Sequence, residues 1–213
     1  MCISLTFDDG WRSQYDHAIP ILDKYGIRAT FYIATGLLYS GRSEYMGPAE
    51  VCHLYKSGHE IGAHSVTHPG MQLSFLWKGG EILRSKNDLK RLGIEISSYA
   101  YPYARHHFMI RRIVRRAGYD NARAAGDKAH MLRNNRYAVR GYSIRRDTTI
   151  SDVTEWIRQS KDALLVFIFH QIDTGAFDYG CTPDLFDQIC KYLLECGRAI
   201  RPLTTALRSL EMQ

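Results

Sequence analysis

Paired cysteines are missing from this 213-residue chain: its five, Cys2, Cys52, Cys181, Cys190 and Cys196, are odd in number and form no CxxC. That argues against a disulfide framework and against a zinc knuckle. Cys190 and Cys196 fall within a helical apolar pattern and read as packing residues. Long hydrophobic runs are missing too. The longest, Ala163 to Phe169, is far short of the ~20 residues a membrane span requires. No basic, apolar, small-residue signal opens the chain, so the expected location is cytoplasmic, or extracytoplasmic if a leader was removed. There is no repeat, no low-complexity tract and no Pro/Gly/Ser linker. Neither GxGxxG after the first strand nor GxxxxGK[ST] occurs, which argues against a dinucleotide site and a P-loop.

What is present is an ordinary globular composition, 45% hydrophobic and 23% charged, which excludes disorder. The net charge of +6 permits an anionic partner without demonstrating one. Arg111, Arg112, Arg115 and Arg116 on one expected helix read as a solvated outer face, and no nucleic-acid partner is expected. Composition says nothing of the oligomeric state.

Short β-rich runs alternate with helix-period segments, the pattern of parallel α/β architecture. Strands are expected at Cys2–Phe7, Ala29–Ala34, Glu60–Ala63, Ser97–Ala100, Asn121–Ala124, Ala138–Ile144 and Ala163–Phe169. Helices are expected near Ser13–Tyr25, from Pro48 to Gly58, and at Leu76–Leu92, His107–Ala117, Asp152–Ser160, Pro183–Glu195 and Thr204–Met212. In the fourth of these, Phe108, Ile110, Ile113, Val114 and Ala117 are expected to face inward. About seven βα units in one domain predict a barrel or near-barrel, with an open doubly wound sheet as the other solution. In both, ligands collect at the carboxyl ends of the strands.

Chemistry-bearing residues stand at those ends. Asp8 and Asp9 follow the first strand, and Gly10 frees the backbone so that both can turn toward one pocket. Two close carboxylates favour a nearby cation. His64 and His68 follow the third strand, four apart, a spacing that on a helical turn lets both rings reach one metal ion. One carboxylate and two imidazoles leave zinc open positions for water and substrate. After the fourth strand, Pro102 can present the backbone N–H of Tyr103 to an oxyanion. His170 ends the most apolar strand, where an imidazole can act as a general acid. Each feature alone has an ordinary structural explanation: solvated acids, loop histidines, a strand-ending turn, a satisfied core histidine. Their common placement favours one joint site.

These residues resemble the polysaccharide deacetylases, the family with a NodB-homology domain. The resemblance runs from SLTFDDGW through LDKYGIRATFYI, GHEIGAHSVTH, YAYPY and LVFIFH to CGRAIRPLTTAL. It implies a distorted (β/α) barrel of about seven parallel strands across residues 1–213. It also implies a divalent metal, zinc above cobalt or nickel, and hydrolysis of N-acetyl groups on N-acetylhexosamine units of a glycan. The related expectations are a deacylase or deformylase of a small-molecule or lipid-linked amino sugar, and a catalytically weak sugar-binding relative. By resemblance Asp8 is the general base, Asp9, His64 and His68 hold the metal, the Tyr103 N–H holds the oxyanion, and His170 protonates the leaving amine. Many members carry arginine in an RxPY motif to orient the base; here Ala100 stands in that place, and Arg140 or Arg105 is the expected substitute. Asp147 is the acid nearest in pattern to the one that orients the histidine. Trp11, Tyr39, Tyr45, Trp77 and Tyr179 are candidates for stacking on sugar rings.

Overall fold

A computed structural model describes residues 2–69, 75–131, 135–160, 163–174 and 177–211. Strand β1 (Cys2–Phe7) is buried along its whole length. It pairs with β7 (Leu165–Phe169) in continuous register from Ile3↔Leu165 to Phe7↔Phe169, and with β2 (Thr30–Ile33) through Thr6 and Phe7. The sheet continues through β3 (Glu60–Ala63), β4 (Ser98–Ala100) and β5 (Asn121–Arg123) on one side and β6 (Tyr142–Ser143) on the other. Its order is β5-β4-β3-β2-β1-β7-β6, every pairing parallel. A two-residue β8 (Ala199–Ile200) pairs with Cys2 and Ile3. A bridge from Arg123 to Val139 draws the two ends of the sheet together. The result is the curled, barrel-like sheet that the seven-fold repetition implied.

Period-two alternation divides the core. Ile3, Leu5 and Phe7 point outward into a layer of helices that includes α1 (Ile19–Lys24), α3 (Pro48–Lys56) and α7 (Pro183–Glu195). Phe7 stacks on Phe31 and Phe169, with ring centroids 4.6 and 5.2 Å away. Cys2, Tyr32, Ala100, Val166 and Ile168 form a second cluster with Leu203, Ala206, Leu207 and Leu210 of α8 (Leu203–Glu211). That helix closes one mouth of the curl. Its first turn is anchored where Leu203 N–H donates to Thr30 Oγ1 (2.8 Å) and Thr204 N–H to Glu60 Oε2 (3.1 Å). The strands' carboxyl ends remain the accessible mouth.

The expected helix at Ser13–Tyr25 contains a π-helical turn, Gln14–Ala18, ahead of α1. The expected strand at Ala138–Ile144 is split: Val139 bridges to β5, whereas only Tyr142 and Ser143 join β7. On α5 (Phe108–Arg116), Ile110 and Val114 face inward, but Phe108 is 62% exposed. Two residues before Ile110 places it on the far side of a 3.6-residue helix. A short α2 (Thr35–Leu38) and the two-residue β8 lie outside the sequence expectation. The remaining helices are α4 (Phe75–Arg91) and α6 (Ile150–Gln159). No helix among the described residues is long and apolar enough to cross a membrane.

Two of the buried histidines, His59 and His130, lie outside the cleft at the strands' carboxyl ends and are expected to make stability fall in acid. Burial lowers His59 and His130 to about 4, while the unfolded chain takes up a proton on each below about 6.5. Between these values the unfolded state binds more protons, so stability falls as pH drops, by up to ~1.4 kcal/mol per pH unit per group. Glu60, raised by burial, works in the opposite direction. His59 Nδ1 accepts the Ala29 N–H at 3.2 Å, a role the Oδ1 of asparagine can take. His59→Asn is therefore expected to flatten the loss of denaturation free energy between pH 6.5 and 4. An unchanged slope would remove His59 from the account.

Candidate active site

The end of β1 builds one wall. Asp8 N–H donates to Phe169 C=O at 2.9 Å, extending the ladder by one residue. Asp9 then adopts φ 72° and Gly10 φ 85°. Adjacent residues in an extended strand would diverge; the left-handed turn brings both carboxylates to one cleft. The buried Gln14 amide fixes this wall, its Nε2 donating to Asp8 C=O (2.6 Å) and His170 C=O (2.9 Å). These bonds tie the ends of β1 and β7 together from within the π-helical turn, a distortion often found at functional sites.

His64 and His68 lie on an irregular loop after β3, not on the helical turn their spacing allowed. Left-handed Ser65 (φ 65°) and His68 (φ 52°) fold the loop back and bring the ring centroids to 4.8 Å. Glu81 of α4 grips this loop, its Oε2 accepting the N–H groups of Val66 (2.9 Å) and Thr67 (2.7 Å). Five of the six non-glycine residues with positive φ among those described are Asp9, Ser65, His68, Tyr103 and Ala104. Backbone strain is thus concentrated at this mouth, as at functional sites generally.

Asp9 Oδ1 lies 3.5 Å from His64 Nε2 and 3.4 Å from His68 Nε2, buried and with no hydrogen-bond donor. Its other oxygen accepts Trp11 Nε1–H at 3.0 Å. His64 Nδ1–H donates to Ala100 C=O at 2.8 Å, which leaves the Nε2 lone pair facing Asp9. Burial lowers His64 to about 3 and also lowers His68, so both rings stay neutral and available as ligands. Burial, aided by the charge of Asp8, raises Asp9. One carboxylate oxygen and two imidazole nitrogens within 4.8 Å of one another fit a divalent cation. A cation there would satisfy the orphaned Oδ1.

Asp8 is held differently. Arg123 Nη2, only 2% exposed, donates to Asp8 Oδ1. Burial opposes the Asp8 charge, but the Arg123 guanidinium, with His64 and His170, outweighs it and holds the carboxyl below its usual range. Asp8 Oδ2 lies 3.7 Å from His170 Nε2. The opposite rim is the 3-10 turn Pro102–Ala104. There Tyr103 (φ 54°) places its ring centroid 4.6 Å from that of His68. Together these residues line a cleft of about 360 Å³, with Phe177 and Tyr179 at its edge. The cleft therefore brings together a buried ionised carboxylate, an imidazole and three side chains that could hold a cation.

Asp8, Asp9, His64, His68, Tyr103 and His170 thus line one cleft. The residues expected to orient the base or the acid form no ion pair or hydrogen bond with Asp8 or His170 among the described residues. Arg105 lines the cleft, but its guanidinium is 5.7 Å from the Tyr103 ring centroid and makes no ion pair with Asp8. Arg140 is exposed, and its backbone N–H donates to His130. Asp147 sits on an exposed turn beside Arg145 and Arg146, in a neighbouring depression, without a bond to His170. Arg123, Glu81 and Gln14 were missed. The first stands in the short, partly polar strand Asn121–Arg123, which offers no pattern to mark it. Of the aromatics, Trp11 binds Asp9 and stacks on the buried Tyr45 at 4.5 Å; Tyr179 lies 5.2 Å from His170. Tyr39 is exposed outside the cleft lining, and the Trp77 side chain lies outside the described residues.

Residues 1–122, more than half of the chain, match the family model for polysaccharide deacetylase. The chain belongs to the polysaccharide deacetylase family. Among curated relatives, the polysaccharide deacetylase-type protein YxkH of Bacillus subtilis is 30% identical over 67 residues, 32% of this chain and 23% of that protein. A Bacillus gellan lyase is 29% identical over 103 residues, 47% of this chain and 4% of its own. The chain spans less than a quarter of the length of the curated relatives it matches. Among solved structures, the Streptococcus pyogenes deacetylase PplD in complex with acetate superposes with a TM-score of 0.67 at 26% identity, over 72% of this chain and 69% of that one. The Xyl-CE4 domain of a multidomain xylanase from the hindgut metagenome of Trinervitermes trinervoides gives 0.71 at 18% identity, over 98% and 90%, a likeness of fold.

Proposed function

We propose that this chain is a divalent-metal-dependent N-deacetylase acting on an N-acetylhexosamine unit of a glycan. The observation that carries this reading is the orphaned Asp9 Oδ1 between two neutral imidazoles, with an ionised Asp8 beside it. Asp9, His64 and His68 would hold the ion, most suitably zinc, with cobalt or nickel as substitutes. A bound ion supplies polarisation of the acyl oxygen and a more acidic water. Asp8 Oδ2 takes the proton of the attacking water. The Tyr103 N–H donates to the developing oxyanion. His170, protonated, delivers its proton to the departing amine nitrogen. The exposed faces of Tyr103, Phe177 and Tyr179 suit a sugar ring. The acetate in the PplD complex supports acetate as the acid released.

Acetate release from N-acetylated chito-oligosaccharides, with zinc supplied and a chelated control, tests the reading. Zinc-dependent release is expected. Release of formate or a longer acid from another amino-sugar amide instead would move the substrate class. Glycan binding without any hydrolysis, by protein holding one ion, would reduce the chain to a sugar-binding relative.

A further inference from the structure

Arg123 reaches Asp8 from strand β5. β4 and β5 pair in parallel with Ala100 opposite Arg123. Register partners in parallel strands point to the same side, about 4.8 Å apart, so both occupy the barrel interior at one level. The methyl group of Ala100 leaves the space that the Arg123 side chain fills. From there Nη2 reaches Asp8 Oδ1 and Nη1 donates to Ala124 C=O at 3.1 Å. The guanidinium carbon lies 5.2 Å from the centroid of the Tyr32 ring.

Tyr32 is itself fixed at both ends. Its ring lies across β3 at Gly62, its own register partner, where a Cβ would come within 2.5 Å of two ring carbons. Its hydroxyl shares a 2.6 Å hydrogen bond with Ser98 Oγ, which donates to Asn121 Oδ1 at 2.7 Å. Asn121 stands two residues before Arg123 on β5. Tyrosine, arginine and carboxylate are thus stacked upward from a rigid sheet toward the cleft.

We propose that Arg123, seated on Tyr32, is the positioning residue for Asp8, supplied from β5 in place of the arginine absent at position 100. It pins Oδ1 and so turns Oδ2 toward His170 and the cleft. The planar fork matters here: with Nη1 held by the Ala124 carbonyl, Nη2 is aimed at Asp8 Oδ1 in a fixed direction, which a freely rotating ammonium would not provide. This inference rests on Asp8 being the base.

Arg123→Lys keeps the charge and tests the geometry. With zinc loaded, kcat is expected to fall roughly 100-fold, the scale of a 1 Å misplacement, with KM little changed. Zinc affinity, read by the shift in melting temperature on titration, is expected to stay within about threefold because the ligand triad is untouched. Arg123→Ala should lose at least as much turnover, and Ala100→Arg in that background should restore at least about tenfold by returning a fork to the same level. Full kcat in Arg123→Lys overturns the proposal, as does a folded, zinc-binding double variant no better than Arg123→Ala. If Asp8→Asn stays active, the base assignment fails first; if Asp8→Asn is inactive and Arg123→Lys is not, only the positioning role fails.

Discussion

Asp8→Asn is expected to cost between about 10² and 10⁴ in kcat, the range general base catalysis supplies. It should leave the bound ion in place. Asparagine preserves shape, so Arg123 keeps a carbonyl oxygen to donate to, and Gln14 keeps the Asp8 backbone oxygen. What disappears is the basic oxygen that lies 3.7 Å from His170. The proposed ligand triad is Asp9, His64 and His68, and Asp8 Oδ2 is farther from His64 Nε2, at 3.9 Å, than Asp9 Oδ1 is. Zinc stoichiometry should therefore stay at one while turnover collapses. The variant also leaves a buried guanidinium without its counter-charge, which in comparable pairs destabilises by roughly 3–5 kcal/mol; the retained hydrogen bond should keep this loss at the low end. Assays belong well below the variant's melting temperature. Turnover above a tenth of wild type in a folded, zinc-loaded Asp8→Asn would mean that another group takes the proton.

The strands that carry this chemistry were legible because burial on both faces imposes mostly apolar or β-branched runs, unbroken in Leu165–Phe169 and interrupted only by Ser4 in Cys2–Phe7. Helix limits at Pro48 and Pro183 followed from proline at the first turn. The site residues that end strands were legible for the same reason, since a strand end is a place and not merely a residue type. Arg123 was not. It stands in a three-residue strand too short to show alternation, and its partner lies 115 positions away. Only the register Ala100↔Arg123 explains why alanine at one position and arginine at the other are a single fact. Glu81 escaped similarly: on α4 it looks like a solvent-facing acid, and its acceptors' partners are backbone N–H groups of a loop, which leave no pattern in side-chain sequence. Phe108 shows the converse, an apolar residue assigned inward on composition when helix phase turns it out.

His64→Ala should abolish both turnover and the coupling of zinc to stability, and that coupling gives a readout independent of chemistry. A ligand that binds only the folded state stabilises by RT ln(1 + [L]/Kd), about 2.7 kcal/mol at a hundredfold excess over Kd. Wild type is therefore expected to melt several degrees higher with zinc, an increment that a chelator removes. His64 supplies the best-oriented ligand: its Nδ1–H is committed to Ala100 C=O, and burial keeps the ring neutral down to about 3. Alanine deletes that nitrogen, leaves the Ala100 carbonyl unpaired, and reduces the set to Asp9 and His68. Two ligands bind a divalent ion too weakly for a measurable shift at the same concentration. Asp8→Asn serves as the internal control, inactive yet still stabilised by zinc. If His64→Ala retained the full zinc increment, the ion would bind elsewhere, and the orphaned oxygen of Asp9 would need a different partner.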